Sequence, residues 1–219
     1  MKREGFLKKE LPVPIIHCPF ATDSNDKYGR LTWDVVQNVS YSDGCAQFNG
    51  SSSYLLASDK ITFDEMSTIV LYVKFNRKPT DGITATWMTP FYIKPCDYGG
   101  NGDRYYSYYQ HYSNENSEIT NNCMYGSDFS VSSNVLSIPW NSGQINHWYK
   151  MVIRRNVDSN TTDLWIDEYH KIVNGIIQNN PCEIYLGVMG GYSKRYMDGA
   201  IKDFMVFDIP LTDEQIAML

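Results

Sequence analysis

Apolar and polar residues alternate with a period of two along much of this 219-residue chain, the signature of strands covered on one face. The clearest stretch is Ser67–Phe75 (STIVLYVKF), where Ile69, Leu71, Val73 and Phe75 share one face and Val70, Tyr72 and Lys74 the other; it predicts a core strand. His147–Arg154 and Thr162–Glu168 predict a hairpin, and Asp43-Gly44 predicts a tight turn between Leu31–Tyr41 and Ala46–Gly50. Ser53–Leu56, Ile172–Ile177 and Ile184–Val188 read as further strands. Thr84–Lys94 reads as a strand or pair broken at Pro90, and Ile119–Tyr125 and Phe129–Ile138 as strands of weaker alternation. Short strands at roughly 8–12 residue spacing point to an all-β, antiparallel two-sheet sandwich.

The chain closes with Tyr196–Leu219. Asp198-Gly199 is a turn signal at the start of a stretch in which Met197, Ile201, Met205 and Phe207 are placed on one face, with Lys202, Asp203 and Asp208 at bends or opposite. Ile209-Pro210 ends that strand. Thr212 then caps the Gln215 amide while Gln215 reaches back, which predicts a short C-terminal helix with Leu211, Ile216 and Leu219 as its apolar stripe.

This closing segment resembles the end of a laminin G-like jelly roll of the concanavalin A-like lectin and glucanase superfamily. The resemblance rests on Met197-Asp198-Gly199-x-Ile201-x-Asp203 and Leu211-Thr212-x-Glu214-x-Ile216-x-x-Leu219, with support from Phe48-Asn49-Gly50 and the strand at Trp148. Two positions depart from the pattern: Lys202, where the family often has an acidic residue, and Glu168, where it usually has Gly. The resemblance implies one jelly-roll domain over residues 13–219 behind a polar N-terminal arm, residues 1–12. No repeat or low-complexity linker argues for a second domain.

Composition fits strands, with 17 Tyr, 9 Phe and 5 Trp, residues suited to pleated, half-buried surfaces. A net charge of −6 without a Lys/Arg cluster excludes a nucleic-acid track or an anionic membrane surface as partner. The charged N-terminus is followed by no apolar run, so neither a signal peptide nor membrane insertion is expected. The chain is expected to be a virion component or a soluble, released protein directed at a cell surface. The five cysteines, Cys18, Cys45, Cys96, Cys123 and Cys182, lack metal or redox spacing; free thiols are expected, with a buried bridge left open.

Laminarinase-type hydrolases of the superfamily carry Glu-x-Asp-x-x-Glu on one strand, and no such spacing occurs here. Asp64-Glu65 and Asp167-Glu168 are adjacent, hence on opposite faces, so no enzyme is expected. The resemblance also implies a calcium site at the sandwich rim. Its candidate ligands are Asp23, Asn25 and Asp26 with Asp203 nearby, set against the ordinary use of such residues to bind their own turn.

The strongest lead to a binding site is the aromatic run Tyr105–Tyr112. As a strand it places Tyr106, Tyr108 and Tyr112 on one face and Tyr105 and Tyr109 on the other. Tyr faces stack on sugar rings, and they also pack cores and subunit contacts; both readings stay open. Asp103, Arg104, Trp87, Trp140 and, in the loop before the closing strand, Tyr192 complete the candidate ligand set, with Arg195 beside it. Function is expected to be non-enzymatic recognition of a glycan or glycosylated surface. The alternative is a structural virion protein, such as a bacteriophage head-fibre, decoration or tail component, assembling as a homo-oligomer (a trimer) or with other virion proteins.

Overall fold

The structure, a computed structural model, describes residues 10–77, 87–96, 106–113, 118–125, 135–139, 145–176, 181–190 and 195–219. Strands in the first half are β1 (Ile16–Cys18), β2 (Val35–Gln37), β3 (Ser40–Ser42), β4 (Cys45–Asn49), β5 (Tyr54–Thr62), β6 (Thr68–Phe75), β7 (Trp87–Pro95) and β8 (Tyr106–Ser113). The second half adds β9 (Glu118–Tyr125), β10 (Val135–Pro139), β11 (Trp148–Asn156), β12 (Thr161–Ile166), β13 (Tyr169–Asn174), β14 (Pro181–Leu186), β15 (Asp198–Phe207) and a final helix, α1 (Asp213–Met218). They form two antiparallel sheets. The first runs β13-β12-β11-β6-β15-β4-β3 with β1 on β15, and the second β10-β9-β8-β7-β14-β5-β2.

The inner face of the first sheet carries the side chains that alternation predicted on β6, Ile69, Leu71, Val73 and Phe75, flanked by Met151 and Ile153 of β11. They pack in one core with Leu55, Phe91, Ile93, Ile184 and Leu186 from the second sheet. Each such side chain contributes about 1.5–3 kcal/mol on burial. The Asp43-Gly44 turn has φ of 54° and 74°. Two consecutive positive values match the right-handed twist of the strands a two-residue hairpin joins, so this turn fixes the β3–β4 register.

The outer face of the first sheet has its own apolar cluster. Val70, Val152, Trp165 and Phe207 lie under Leu211 and Ile216 of the closing segment. Thr68 on β6 pins that segment: its hydroxyl donates to the Ile209 carbonyl (3.0 Å) and accepts from the Leu211 amide (3.0 Å). The predicted capping box is present, with Gln215 N donating to Thr212 Oγ1 (3.2 Å) and Thr212 N to Gln215 Oε1 (2.9 Å).

Three expectations are corrected. Met197 and Ile201 do join the inner core, but Met205 and Phe207 face outward under α1, and Phe204 and Val206 take the inner positions. A bulge between Lys202 and Met205, with Asp203 at φ 51°, inserts the residue that flips the alternation. Pro90 does not break its strand either. β7 continues through it with a register shift between Met88 and Phe91, and the Pro90 carbonyl accepts from Gly187 N (2.8 Å). Gly199 lies within β15, opposite Phe48 and Phe75, and is no turn residue. Cys18, Cys45, Cys96 and Cys182 are free thiols, and burial pushes the Cys18 thiol far above its ordinary range.

Candidate functional site

The tyrosine run forms β8, held between β7 and β9 in the second sheet. Tyr112 stands opposite Met88 and Ile119, and Tyr108 opposite Ile93 and Cys123, with Trp87 facing Ser113 across the same ladder. The backbone therefore brings Trp87 and Tyr112 to neighbouring register positions. Arg195 joins this end of the sheet, its carbonyl accepting from Thr89 N of β7 (3.3 Å). Asp103, Arg104, Trp140 and Tyr192 lie outside the described residues.

The rim loop is organised by Asp26. Its Oδ1 accepts from His17 N (2.7 Å) and Tyr28 N (3.3 Å), and its Oδ2 from Arg30 N (2.7 Å) and Leu31 N (3.1 Å). Four backbone donors occupy both oxygens of a buried carboxylate. Asp23 Oδ1 accepts from Asn25 N (2.9 Å), and Asp203 Oδ1 meets His17 Nε2 at 3.0 Å. Among the described residues no three His, Cys, Asp or Glu side chains come together as a metal would need. Calcium takes roughly six to eight oxygens, whereas the strongest carboxylate here is spent on the loop's own amides. This donor set does not fit the ion. The loop instead borders a recess of about 370 Å³ lined by Asp26, Leu31, Trp33 and Val36.

A larger recess, about 510 Å³, opens beside α1 on the outer face of the first sheet, lined by Lys150, Trp165, Asp167, Glu168, Asp213 and Ile216. Two of its carboxylates are tied down. Asp167 accepts from Lys150 N (2.8 Å) and pairs with His147 (3.2 Å), and Asp213 pairs with Arg154 (2.7 Å). The Trp165 ring is likewise occupied, with His170 stacked at 4.1 Å and the Arg154 guanidinium at 4.8 Å.

Further along the same face lies a group that sequence reasoning missed. Register aligns Lys150, Tyr72 and Lys202 across β11, β6 and β15, and one step on aligns Trp148, Lys74 and Ala200. The Lys74 ammonium sits 5.0 Å and the Lys202 ammonium 4.6 Å from the Trp148 ring centre, and Lys202 also lies 5.4 Å from Tyr72. The Tyr72 hydroxyl donates to the Leu219 carbonyl (2.6 Å); burial, helped by the charges of Asp203 and Asp167, pushes its pKa up and keeps it a donor. The sequence signal was Lys202 itself, the basic residue at a position the resemblance makes acidic.

No protein-family model matches the chain, and no curated protein matches it in sequence. Solved structures do match in three dimensions. The chain is similar to a Trypanosoma rangeli sialidase determined in complex with sialic acid, at a TM-score of 0.67 and 12% identity over 94% of this chain and 33% of that one. It is similar also to the binding domain of botulinum neurotoxin serotype D (TM-score 0.62, 15% identity, 94% and 50%) and to the NanB sialidase of Streptococcus pneumoniae (0.51, 12%, 80% and 27%). What is shared is the fold. The chain spans about a third of the length of the first sialidase and half of the toxin domain. The match extends to the sandwich that the concanavalin A-like resemblance implied and does not single out a laminin G-like member of it.

Proposed function

We propose that this chain is a recognition module that binds glycans on a cell or particle surface and carries out no chemistry on them. The observation that carries the proposal is β8, a strand with tyrosine at positions 106, 108, 109 and 112, fixed in register beside Trp87 of β7. Rigid aromatic faces set on a sheet stack on sugar rings with little loss of side-chain freedom. Two structures sharing this fold support the reading, a sialidase with sialic acid bound and a toxin's binding domain. In the larger recess the engagement of Asp167 by Lys150 N and His147, and of Asp213 by Arg154, fits binding better than proton transfer.

The test is a glycan array followed by titration of the best ligand against the wild-type chain and against Tyr108→Ala and Tyr112→Ala. Each stacking face is worth about 0.5–1.5 kcal/mol, so each variant should bind roughly 2- to 12-fold more weakly. Reducing-sugar release from bound oligosaccharides should not occur. A chain that captures no glycan, or that cleaves one, would overturn the proposal.

A further inference from the structure

We propose a second binding surface, on the opposite sheet from β8: the Trp148, Lys74, Lys202 and Tyr72 cluster on the outer face of the first sheet takes the carboxylate of an acidic sugar. The choice of a sugar rests on the glycan reading above; the site and its charge preference stand on the cluster alone.

Two ammonium groups are directed over one indole ring by strands β6 and β15, which are far apart in sequence. Among the described residues neither Lys74 nor Lys202 has a carboxylate within 4.0 Å, although the chain carries a net charge of −6. Neighbouring cations on the same face are already satisfied: Arg154 pairs with Asp163 and Asp213, and Lys150 donates to the Ile216 carbonyl (2.9 Å). Asp203 and Asp167, whose charges reach Tyr72, are engaged with His17 and His147. Among the described residues Lys74 and Lys202 are therefore left with ring faces as their close partners and with their own mutual repulsion.

An anion held beside these ammonium groups lowers that repulsion, and the half-buried Trp148 and Tyr72 offer apolar surface to the ring that bears it. The neighbourhood also bears on Cys45. Burial pushes its thiol up, Lys74 and Lys202 pull it down and Asp43 opposes them, in keeping with the register that sets Ile201 of β15, next to Lys202, opposite Ala46 of β4. The surface thus extends from β11 across β6 and β15 towards β4, a footprint suited to a mono- or disaccharide.

The experiment is calorimetric titration with sialyllactose and with lactose, which differ by one carboxylated ring, for wild type, Lys74→Met, Lys202→Met and the double variant. Met keeps the apolar stem of each lysine over the ring, and unchanged melting temperatures verify the fold. At low salt the sialylated sugar should bind more tightly than lactose. Each single variant should weaken it about two- to fivefold, and the double about tenfold, as expected for charge pairs near the surface. The advantage should shrink as salt is raised. Lactose binding, and loss of binding in Tyr108→Ala, should be indifferent to the lysines. If glycans bind but the lysine variants leave the sialylated sugar unaffected, this inference is overturned and the glycan reading stands. If the lysine variants release acidic peptides or anionic vesicles and no sugar of either kind binds, both are overturned.

Discussion

Gly199→Ala tests the fold where the candidate surface depends on it. A Cβ at Gly199 would lie 2.0 Å from the carbonyl oxygen of Lys74 and 2.8 Å from the end of Met197. The Met can swing aside; the carbonyl cannot, because it belongs to the β6–β15 ladder in which Gly199 faces Phe75 and Ala200 faces Lys74. Ordinary contact begins near 3.4 Å, so the strands must part by more than about 1 Å. That stretch takes two or three ladder hydrogen bonds past useful length, at about 0.5–1.5 kcal/mol each, on top of an overpacking cost of about 1–3 kcal/mol. The expected loss is about 2–7.5 kcal/mol, which in a domain of this size lowers the melting temperature by about 4–30 °C. Gly44→Ala is the control. Nothing lies within 4 Å of its Cβ position, and only its φ of +74° opposes the change, for about 1–2 kcal/mol and at most about 8 °C. Thermal unfolding followed by circular dichroism distinguishes the two. If Gly199→Ala melts no lower than Gly44→Ala, the close approach of β15 to β6 is not what requires glycine.

Two further outcomes follow from the rim. Asp26→Asn should cost about 1–3 kcal/mol in urea unfolding, because an amide oxygen cannot accept from all four amides that the carboxylate serves; calcium or a chelator should leave the wild-type melting temperature within about 1 °C, and a larger calcium shift would show that the ion has a site there or elsewhere in the fold. At Glu65, burial pushes the pKa up, but the Thr62 amide (2.9 Å), the Thr62 hydroxyl and Arg30 outweigh it and hold the carboxyl below its ordinary 4.5. A depressed folded-state value adds stability that is present above 4.5 and lost as the pH falls through the folded value, so Glu65→Gln should flatten the acid limb of the urea midpoint below that pH, whereas parallel limbs would deny Glu65 a part in it.

The sandwich was legible in the sequence because its strands were specified locally. The alternation of β6, the Asp43-Gly44 turn and the Thr212–Gln215 box each depend on neighbours a few residues away, and each is in place. The errors come from long-range pairing. Alternation in β15 is right up to Lys202 and inverted after it, because a single Asp at φ 51° shifts the strand by one residue; an Asp in a polar stretch announces no bulge. Gly199 looked like a turn because the Asp-Gly pair is a turn signal, while its true constraint is a carbonyl on another strand. In the rim loop Asp26 gathers amides from both sides, including that of His17 on β1, a role that its sequence neighbours do not announce. That the tyrosines lie on one strand could be read from the sequence, but not their register against β7 and β9, which is fixed by cross-strand pairing.

The outer face of the first sheet is divided between two environments. Where α1 covers it, the cross-strand pair is Val70 with Val152; one step along it is Tyr72 with Lys150, and one further Lys74 with Trp148. Polarity rises as the helix recedes, as solvent requires, except that the largest side chain stands at the polar end. Folding energy accounts poorly for what surrounds it. Each exposed cation–π contact is worth about 0.5–1 kcal/mol, and a second ammonium within about 10 Å of the first gives part of that back through repulsion inside one Debye length. One lysine over Trp148 would cover the ring nearly as well as two. The second is explained by an anion, since two positive charges with no carboxylate partner among the described residues, held over one aromatic ring, stabilise a bound carboxylate more than they stabilise the empty fold.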